Sequence, residues 1–378
     1  MTAVFLRNAV DGGPARLYRD PKDVLTCRTP EDVPRTFAAI EQALDQGLHV
    51  AGAFAYELGH VLEPRLAPLL PQARDEPLIH VGVFGAPDVV ADHDAFVAGH
   101  AGPTRPIVPA WGETRAAYGA KIRRILDYIA AGDVYQINHT FPVRFPWDAG
   151  PWALYARLAA HQRVAHGGVL DLPELRVASL SPELFFAKAG SRIVARPMKG
   201  TAPRGADAAA DAALAAGLGT DAKNRAENLM IVDLIRNDLG RIATIGSVRV
   251  ERLFQVETYA TLHQMTSTVA AEVSPGVPLL DLFRALFPCG SVTGAPKIRA
   301  MEIIAELERR PRGVYCGALG WIAPDRTMAF AVPIRTVSLG EGRATMGIGS
   351  GIVADSEPDH EYDECRLKAA FLTALPPA

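Results

Sequence analysis

The segment SPELFFAKAGSRIVARPMKGT carries a carboxylate, Glu183, and an amine, Lys199, on either side of a turn. Read as a β-hairpin centred near Ser191, it sets each of them eight residues from that centre. Residues at equal distance from a turn face each other across an antiparallel pair, so the two groups should lie close together. For an arbitrary Glu and Lys the commoner outcome is a salt bridge on a solvated face. Here Lys199 is followed by Gly200, Thr201 and Gly205, which puts it at a strand end leading into a loop, where function concentrates. A lysine partly desolvated at such a point can lose its proton and act as nucleophile or base.

In KNRAENLMIVDLIRNDLG the apolar spacing predicts a helix with Glu227 on the stripe of Met230, Ile231 and Leu234. A carboxylate against a core needs a partner, and an internal ion pair with arginine or a metal would each serve. EPDHEYDECRLKAAFL predicts another helix, with Glu361, Glu364 and Lys368 on one face. An exposed Glu364 and Lys368 pair at i, i+4 is the plain reading. Against it stands the strand just before, TMGIGSGIV, where Gly347, Gly349 and Gly351 leave one face as bare backbone, as expected where a ligand or another backbone comes close. In FPCGSVTGAPKIRAMEIIAEL, Pro296 suits a first helical turn, and the Gly-rich loop before it suits a carboxylate or phosphate. The GxxxxGK[ST] spacing is absent, and a simple helix start with a glycine turn explains the segment equally well.

These groups need elements to hold them. Helices are expected at 31–46, 114–131, 224–239, 278–286, 296–309 and 359–374. Strands are expected at VAGAFAY, GDVYQINHTFPVRF, 176–188, 191–198, 314–322, 328–338 and 344–353. Strands in consecutive pairs with helices grouped between them favour an α+β class of antiparallel sheets covered by helices over a βαβ repeat. Residues 86–110, rich in Ala, Pro and Gly, read as a connection, with a boundary near 110 between an N-terminal scaffold (1–110) and a catalytic region (111–378). The Ala-rich stretch 205–223 reads as a mobile loop or weak helix next to the site.

The 378 residues are 49% hydrophobic, with 39 basic against 42 acidic residues and no run of like charge, which argues against nucleic acid as a partner. The N-terminus lacks a signal-peptide pattern, and no apolar stretch approaches the roughly 18 residues of a membrane span. Four cysteines without a CxxC pair argue against a zinc site or a disulfide framework. A cytoplasmic protein with reduced thiols and no membrane association is the expectation.

In order and spacing, SPELFF, RPMKGTAPRG, AENLMIVDLIRNDLG, FPCGSVTGAPK, VYCGALGW and GIGSGIVADSEP followed by EYDECRLK resemble the chorismate-utilising enzymes, over about residues 114–374. That family includes the large subunits of anthranilate synthase and aminodeoxychorismate synthase, with isochorismate and salicylate synthases. The resemblance implies one α+β sandwich of two stacked antiparallel sheets flanked by helices, in which the two regions are subdomains, and it implies Mg²⁺. It assigns Glu227 and Glu364 to the metal, which bridges to a substrate carboxylate, and Glu183 to proton delivery at the departing hydroxyl. Arg335, Lys368 and the backbone of Gly349 and Gly351 match the groups that hold the two carboxylates of chorismate. Tyr315, Thr293 and His263 match those lining the ring.

Lys199 separates members of this family. The position before GT is usually alanine in anthranilate, isochorismate and salicylate synthases and lysine in aminodeoxychorismate synthases. The implied reaction is attack of the Lys199 amine on the ring as Glu183 helps the 4-hydroxyl leave. Ammonia then displaces the enzyme at carbon 4, giving 4-amino-4-deoxychorismate for 4-aminobenzoate and folate. Met198 departs conservatively from the usual PIKGT, and no LLES-like tryptophan-sensing motif stands near the N-terminus. Anthranilate synthase component I is the alternative; a catalytically silent relative that only docks an amidotransferase is a third reading. No glutaminase pattern and no C-terminal lyase segment is recognisable. Ammonia is therefore expected from a separate glutamine amidotransferase or from solution, and conversion to 4-aminobenzoate from another protein.

Overall fold

Runs of apolar and β-branched residues build two large sheets. In the computed structural model, which describes residues 2–7, 13–102, 106–162, 164–259 and 262–373, the described strands form two ten-stranded sheets with antiparallel pairing throughout. The first centres on Arg343–Ile352, paired with Gln136–Pro146 on one side and Thr336–Gly340 on the other. It continues through Leu175–Ser179 and Gly168–Leu172 to Ala3–Leu6 and Ala15–Arg19. The second runs from Met198–Pro203 through Leu262–Glu272, Arg192–Arg196, Leu184–Ala189, Met328–Ala331 and Ala318–Ile322 to His49–Phe54. The expected α+β class, two stacked antiparallel sheets with helices outside, is the fold the chain adopts.

Three apolar layers hold it together. Val4, Tyr18 and Val177 of the first sheet meet Phe84, Leu319 and Trp321 of the second in the middle layer. The helices Val33–Asp45, Ala222–Gly240 and Leu279–Leu286 cover the second sheet with Phe37, Ile40, Ile231, Ile235 and Phe283. The helices Arg115–Ala130, Gly150–Ala159, Lys297–Glu308 and Pro358–Lys368 cover the first with Ile122, Leu154, Ile303 and Tyr362. In Val33–Asp45, Arg115–Ala130 and Ala222–Gly240 the buried positions recur at i, i+3 or i+4, so one stripe meets the sheet, whereas Gly150–Ala159 is buried along most of its length. Strands from both sides of residue 110 share both sheets: Ala3–Leu6 pairs with Gly168–Leu172, and His49–Phe54 with Ala318–Ile322. Within 86–110 the described residues include a short strand, Asp88–Val90, and a helix, His93–Ala98, whose Ala95 N–H donates to the Asp92 carboxylate.

Two expected strands are each split between the sheets. The run 176–188 becomes Leu175–Ser179 in the first sheet and Leu184–Ala189 in the second; 328–338 becomes Met328–Ala331 in the second and Thr336–Gly340 in the first. Pro182 and Pro333, which have no N–H to give a ladder, stand in the two breaks. The crossings are bonded to each other, Leu180 N–H donating to the Arg335 carbonyl and Val332 N–H to the Glu183 carbonyl, each at 3.0 Å. The Ala-rich stretch forms a helix, Ala208–Thr220, capped by Asp207. The helix expected over 359–374 ends at Lys368, with a short turn of helix at Ala370–Thr373; residue 374 lies outside the described residues.

Candidate active site

Strand geometry delivers Lys199 differently from the simple hairpin. The pair Leu184 and Arg196 puts Pro197, rather than Lys199, opposite Glu183, and a bulge interrupts the register between Leu184 and Ala187. After Pro197 the chain joins a new strand, Met198–Pro203, paired with Leu262–Glu272, whose register slips between Met198 and Thr201. This second bulge contains Lys199 and Gly200, and Gly200 adopts φ +83°, a region that glycine reaches without strain. A Cβ on Gly200 would also lie 2.8 Å from the Asn224 side-chain oxygen. The Gln264 amide clamps the bulge, donating to the Gly200 carbonyl at 2.8 Å and accepting from the Thr201 hydroxyl at 3.2 Å. A bulge re-aims the side chain it carries. Here the Lys199 amine points across to the opposite sheet, where a Cβ on Gly351 would stand 3.2 Å from Nζ.

Glu183 sits at the strand crossing, 3% exposed, with Oε1 buried and without a hydrogen-bond partner among the described residues. Burial pushes its carboxyl up to about 7, against the Ser291 hydroxyl, the Lys199 charge and the Met198 N–H, which favour the ionised form. A carboxyl near neutrality that also feels Lys199 is suited to proton delivery.

Glu227 follows the Asp221 cap in Ala222–Gly240, where the buried stripe is Asn228, Ile231, Val232, Ile235, Asp238 and Leu239. Glu227 lies beside that stripe, half-buried, rather than against the core as its spacing suggested. Burial raises its carboxyl, Lys199 and Lys223 oppose the rise, and Glu364 and Glu361 add to it. Burial also works to raise Glu364, but Lys368 outweighs it, with Lys199 and Lys223 contributing, and holds the carboxyl low. The Lys368 amine lies 2.5 Å from Glu364 and donates to the Gly349 carbonyl at 3.2 Å. Glu361 accepts from the Ser356 hydroxyl at 2.7 Å. Among the described residues no group of three or more His, Cys, Asp or Glu forms a ready-made metal cage. Glu227 and Glu364 are near enough for the charge of one to act on the other, and a sparse set of carboxylate oxygens suits Mg²⁺, which keeps several waters and takes few protein ligands.

The alternating glycines serve different neighbours. The Tyr315 ring packs on Gly347, where a Cβ would come within 2.1 Å of it, and Gly351 faces Lys199 and Gln136. Thr293 is fully buried, and its hydroxyl donates within its own turn to Cys289 and Gly290 carbonyls at 3.2 and 3.3 Å. His263 is 1% exposed, its Nδ1 2.9 Å from the Thr258 hydroxyl and its Nε2 2.9 Å from Asp211 of the Ala-rich helix. Arg335, at φ +51°, is half-buried and makes no side-chain hydrogen bond or ion pair to the described residues; burial alone lowers its pKa. Lys297 of the Gly-rich loop is committed to structure, 2.6 Å from Asp238 and 3.0 Å from the Leu286 carbonyl.

Gln136 was not among the residues expected at the site. It is 1% exposed, both its amide atoms lack hydrogen-bond partners among the described residues, and its Nε2 lies 3.0 Å from the Cβ position of Gly351. A polar residue in the strand QINHTFPVRF was visible in the sequence, but only the pairing of that strand with Arg343–Ile352 brings it beside Lys199.

The family of chorismate binding enzymes matches residues 99–374. Aminodeoxychorismate synthase component 1 of Salmonella typhimurium is 36% identical over 92% of this chain and 86% of its own length. The Escherichia coli protein of the same name is 43% identical over 66% of this chain and 55% of its own. Anthranilate synthase component 1 of Thermus thermophilus is 44% identical over 68% of this chain and 56% of its own. Among solved structures, anthranilate synthase component I from Streptococcus pneumoniae superposes with TM-score 0.80 at 23% identity, covering 97% of this chain and 93% of that one. A 2,3-dihydroxybenzoate-specific isochorismate synthase from Bacillus anthracis gives 0.79 at 20% identity, covering 98% and 95%. By sequence match over most of its length and by fold, this chain belongs to the chorismate-binding enzymes.

Proposed function

We propose that the chain converts chorismate and ammonia to 4-amino-4-deoxychorismate. The observation that carries this reading is the Lys199 amine, held on a glycine-dependent bulge, aimed at Gly351 and coupled to the nearly neutral Glu183 carboxyl. Relatives named aminodeoxychorismate synthase component 1 support it.

Arg335, which has no protein partner among the described residues, and Lys368 at the Gly349 carbonyl would receive the substrate carboxylates. Tyr315 and Thr293 wall the ring from water. The Lys199 nitrogen bonds to the ring as the bond from carbon 4 to oxygen breaks, and Glu183 supplies the proton with which the hydroxyl departs as water. Ammonia then bonds to carbon 4 as the ring bond to Lys199 breaks, which returns the amine and leaves a proton for the Glu183 carboxylate. Glu227 and Glu364 would hold a magnesium ion, which supplies positive charge against a substrate carboxylate.

The component naming of the relatives supports a partner subunit, a glutamine amidotransferase that delivers ammonia, with free ammonium as the substitute. The product would serve 4-aminobenzoate and folate synthesis in the cytoplasm. The Thermus thermophilus relative supports a second reading, anthranilate formation. Incubating the purified chain with chorismate, Mg²⁺ and an ammonium salt separates the two by the mass and ultraviolet spectrum of the product. 4-Amino-4-deoxychorismate is expected, and anthranilate would overturn the proposal.

A further inference from the structure

At the far end of the strand Leu184–Ala189 from the Glu183 crossing lies a pocket of about 180 Å³, with Lys188, Arg326 and Glu41 among its polar walls and Leu44, Leu282 and Met328 among its apolar ones. Lys188 and Glu183 are five positions apart along one strand, on the order of 16 Å, so this pocket is separate from the candidate active site.

Lys188 is the unusual group. Only 3% of it is exposed, yet its amine makes no hydrogen bond or ion pair with any described residue. Lysines are almost never fully buried unless paired. The acids nearby are already committed: Glu41 accepts the Leu279 N–H at 2.8 Å, Asp325 accepts from the Thr327 N–H and hydroxyl at 2.9 and 3.0 Å, and Asp45 pairs with Arg326. Arg326 repels Lys188 and Asp325 attracts it, while burial is the largest influence and lowers its pKa. The pocket thus presents one amine without a partner among the described residues, a second cation near it, the Glu41 carboxylate, and walls shared between polar groups and apolar side chains.

We propose that this pocket binds a small monocarboxylate with a compact apolar body, of the size of an aromatic acid, with its carboxylate on Lys188. Charge selects a single negative group: a dianion such as phosphate would bring its second charge towards Glu41 in the pocket wall. Volume limits the body: about 180 Å³ has room for one small ring, which Leu44, Leu282 and Met328 would contact. The site does not depend on the reaction assigned to the chain.

The test uses benzoate as probe with the full chain. Isothermal titration should show saturable binding that weakens by about tenfold or more in Lys188→Met, as expected for loss of a charged hydrogen bond. Binding should be unchanged in Arg335→Met, which alters the candidate active site. The Lys188→Met chain loses a buried unpaired charge and should melt no lower than the parent; Leu44→Phe, which fills the pocket, supplies an independent variant with the same expected loss of binding. A crystal soaked with 4-bromobenzoate should place the bromine signal among Leu44, Leu282 and Met328. Absence of binding, binding equal in the parent and Lys188→Met, or a bromine signal only beside Arg335 would overturn the proposal.

Discussion

At the scale of single residues, the proposed reaction divides its chemistry between Lys199 and Glu183. Lys199→Ala should abolish amination at carbon 4 while chorismate still binds, since the carboxylate-holding groups remain; equilibrium binding together with a product assay reads both. Glu183 has a folded pKa near 7, raised mainly by burial, so its acidic form is lost as pH rises through that value. The rate constant kcat/KM should therefore fall on its alkaline side with an apparent pKa of about 7, and Glu183→Gln should remove that limb and lower the rate by about 10²–10⁴-fold. The linkage has the same sign: a carboxyl raised in the folded state adds stability below its usual value of 4.5, and this is lost as pH rises through about 7. Glu57 is raised to about 7 by the same cause, burial, so melting curves report both groups and the rate profile isolates Glu183. Residue types and local spacing singled out both of these side chains as candidates. Gln136 escaped notice because its significance comes from another strand, through Gly351, and nothing in its own segment marks it.

At the scale of elements, the bulge at Lys199 and Gly200 decides where the amine points. Gly200→Ala combines a backbone conformation costly to alanine with a contact against Asn224. It should lower kcat by on the order of 10²-fold, the cost of displacing a reacting group by about 1 Å, with a smaller change in KM. Sequence symmetry correctly placed Glu183 and Lys199 in one neighbourhood but gave the wrong register, because a bulge and a break at Pro197 cannot be read from distance to a turn. Missed strands have equally physical causes. Leu262–Glu272 is mostly buried on both faces and so shows no alternation, whereas Arg249–Thr258 is exposed along most of its length and offers no apolar period. Behind the site, Arg312 joins elements distant in sequence: its guanidinium donates to Glu308 and to the Val292 and Asn138 carbonyls, each at 2.7 Å. Burial works to raise the Glu308 carboxyl, but the Arg312 and Arg310 charges outweigh it and hold it at about 2. Arg312→Met leaves that carboxylate buried with Arg310 at 3.5 Å and the Thr140 N–H and hydroxyl as its remaining partners, and chemical denaturation should show a loss of about 2–3 kcal/mol.

At the scale of the whole molecule, the motifs shared with the chorismate-binding enzymes lie in the later two thirds of the chain, yet the sheets that carry them are completed by its first third. Removing residues 1–110 would strip Ala3–Leu6 from Gly168–Leu172 and His49–Phe54 from Ala318–Ile322, opening an edge in both sheets at once. A 111–378 fragment should therefore show no cooperative thermal unfolding by circular dichroism, whereas the full chain should. The order of expected strands and helices, with the family resemblance of the motifs, indicated the fold class. The interleaving of early and late strands was hidden because it depends on pairings more than a hundred residues apart.

The proposed reaction turns on a covalent bond from Lys199 to the ring, formed while Glu183 releases the hydroxyl. It is tested most directly by incubating the purified chain with chorismate and Mg²⁺ without ammonia, then mapping adducts by peptide mass spectrometry. An adduct on Lys199 with the mass of chorismate less one water, discharged by added ammonium, is the result predicted. Product formed in ammonium by a chain in which Lys199→Ala has removed the amine, with no adduct in the parent, would contradict it.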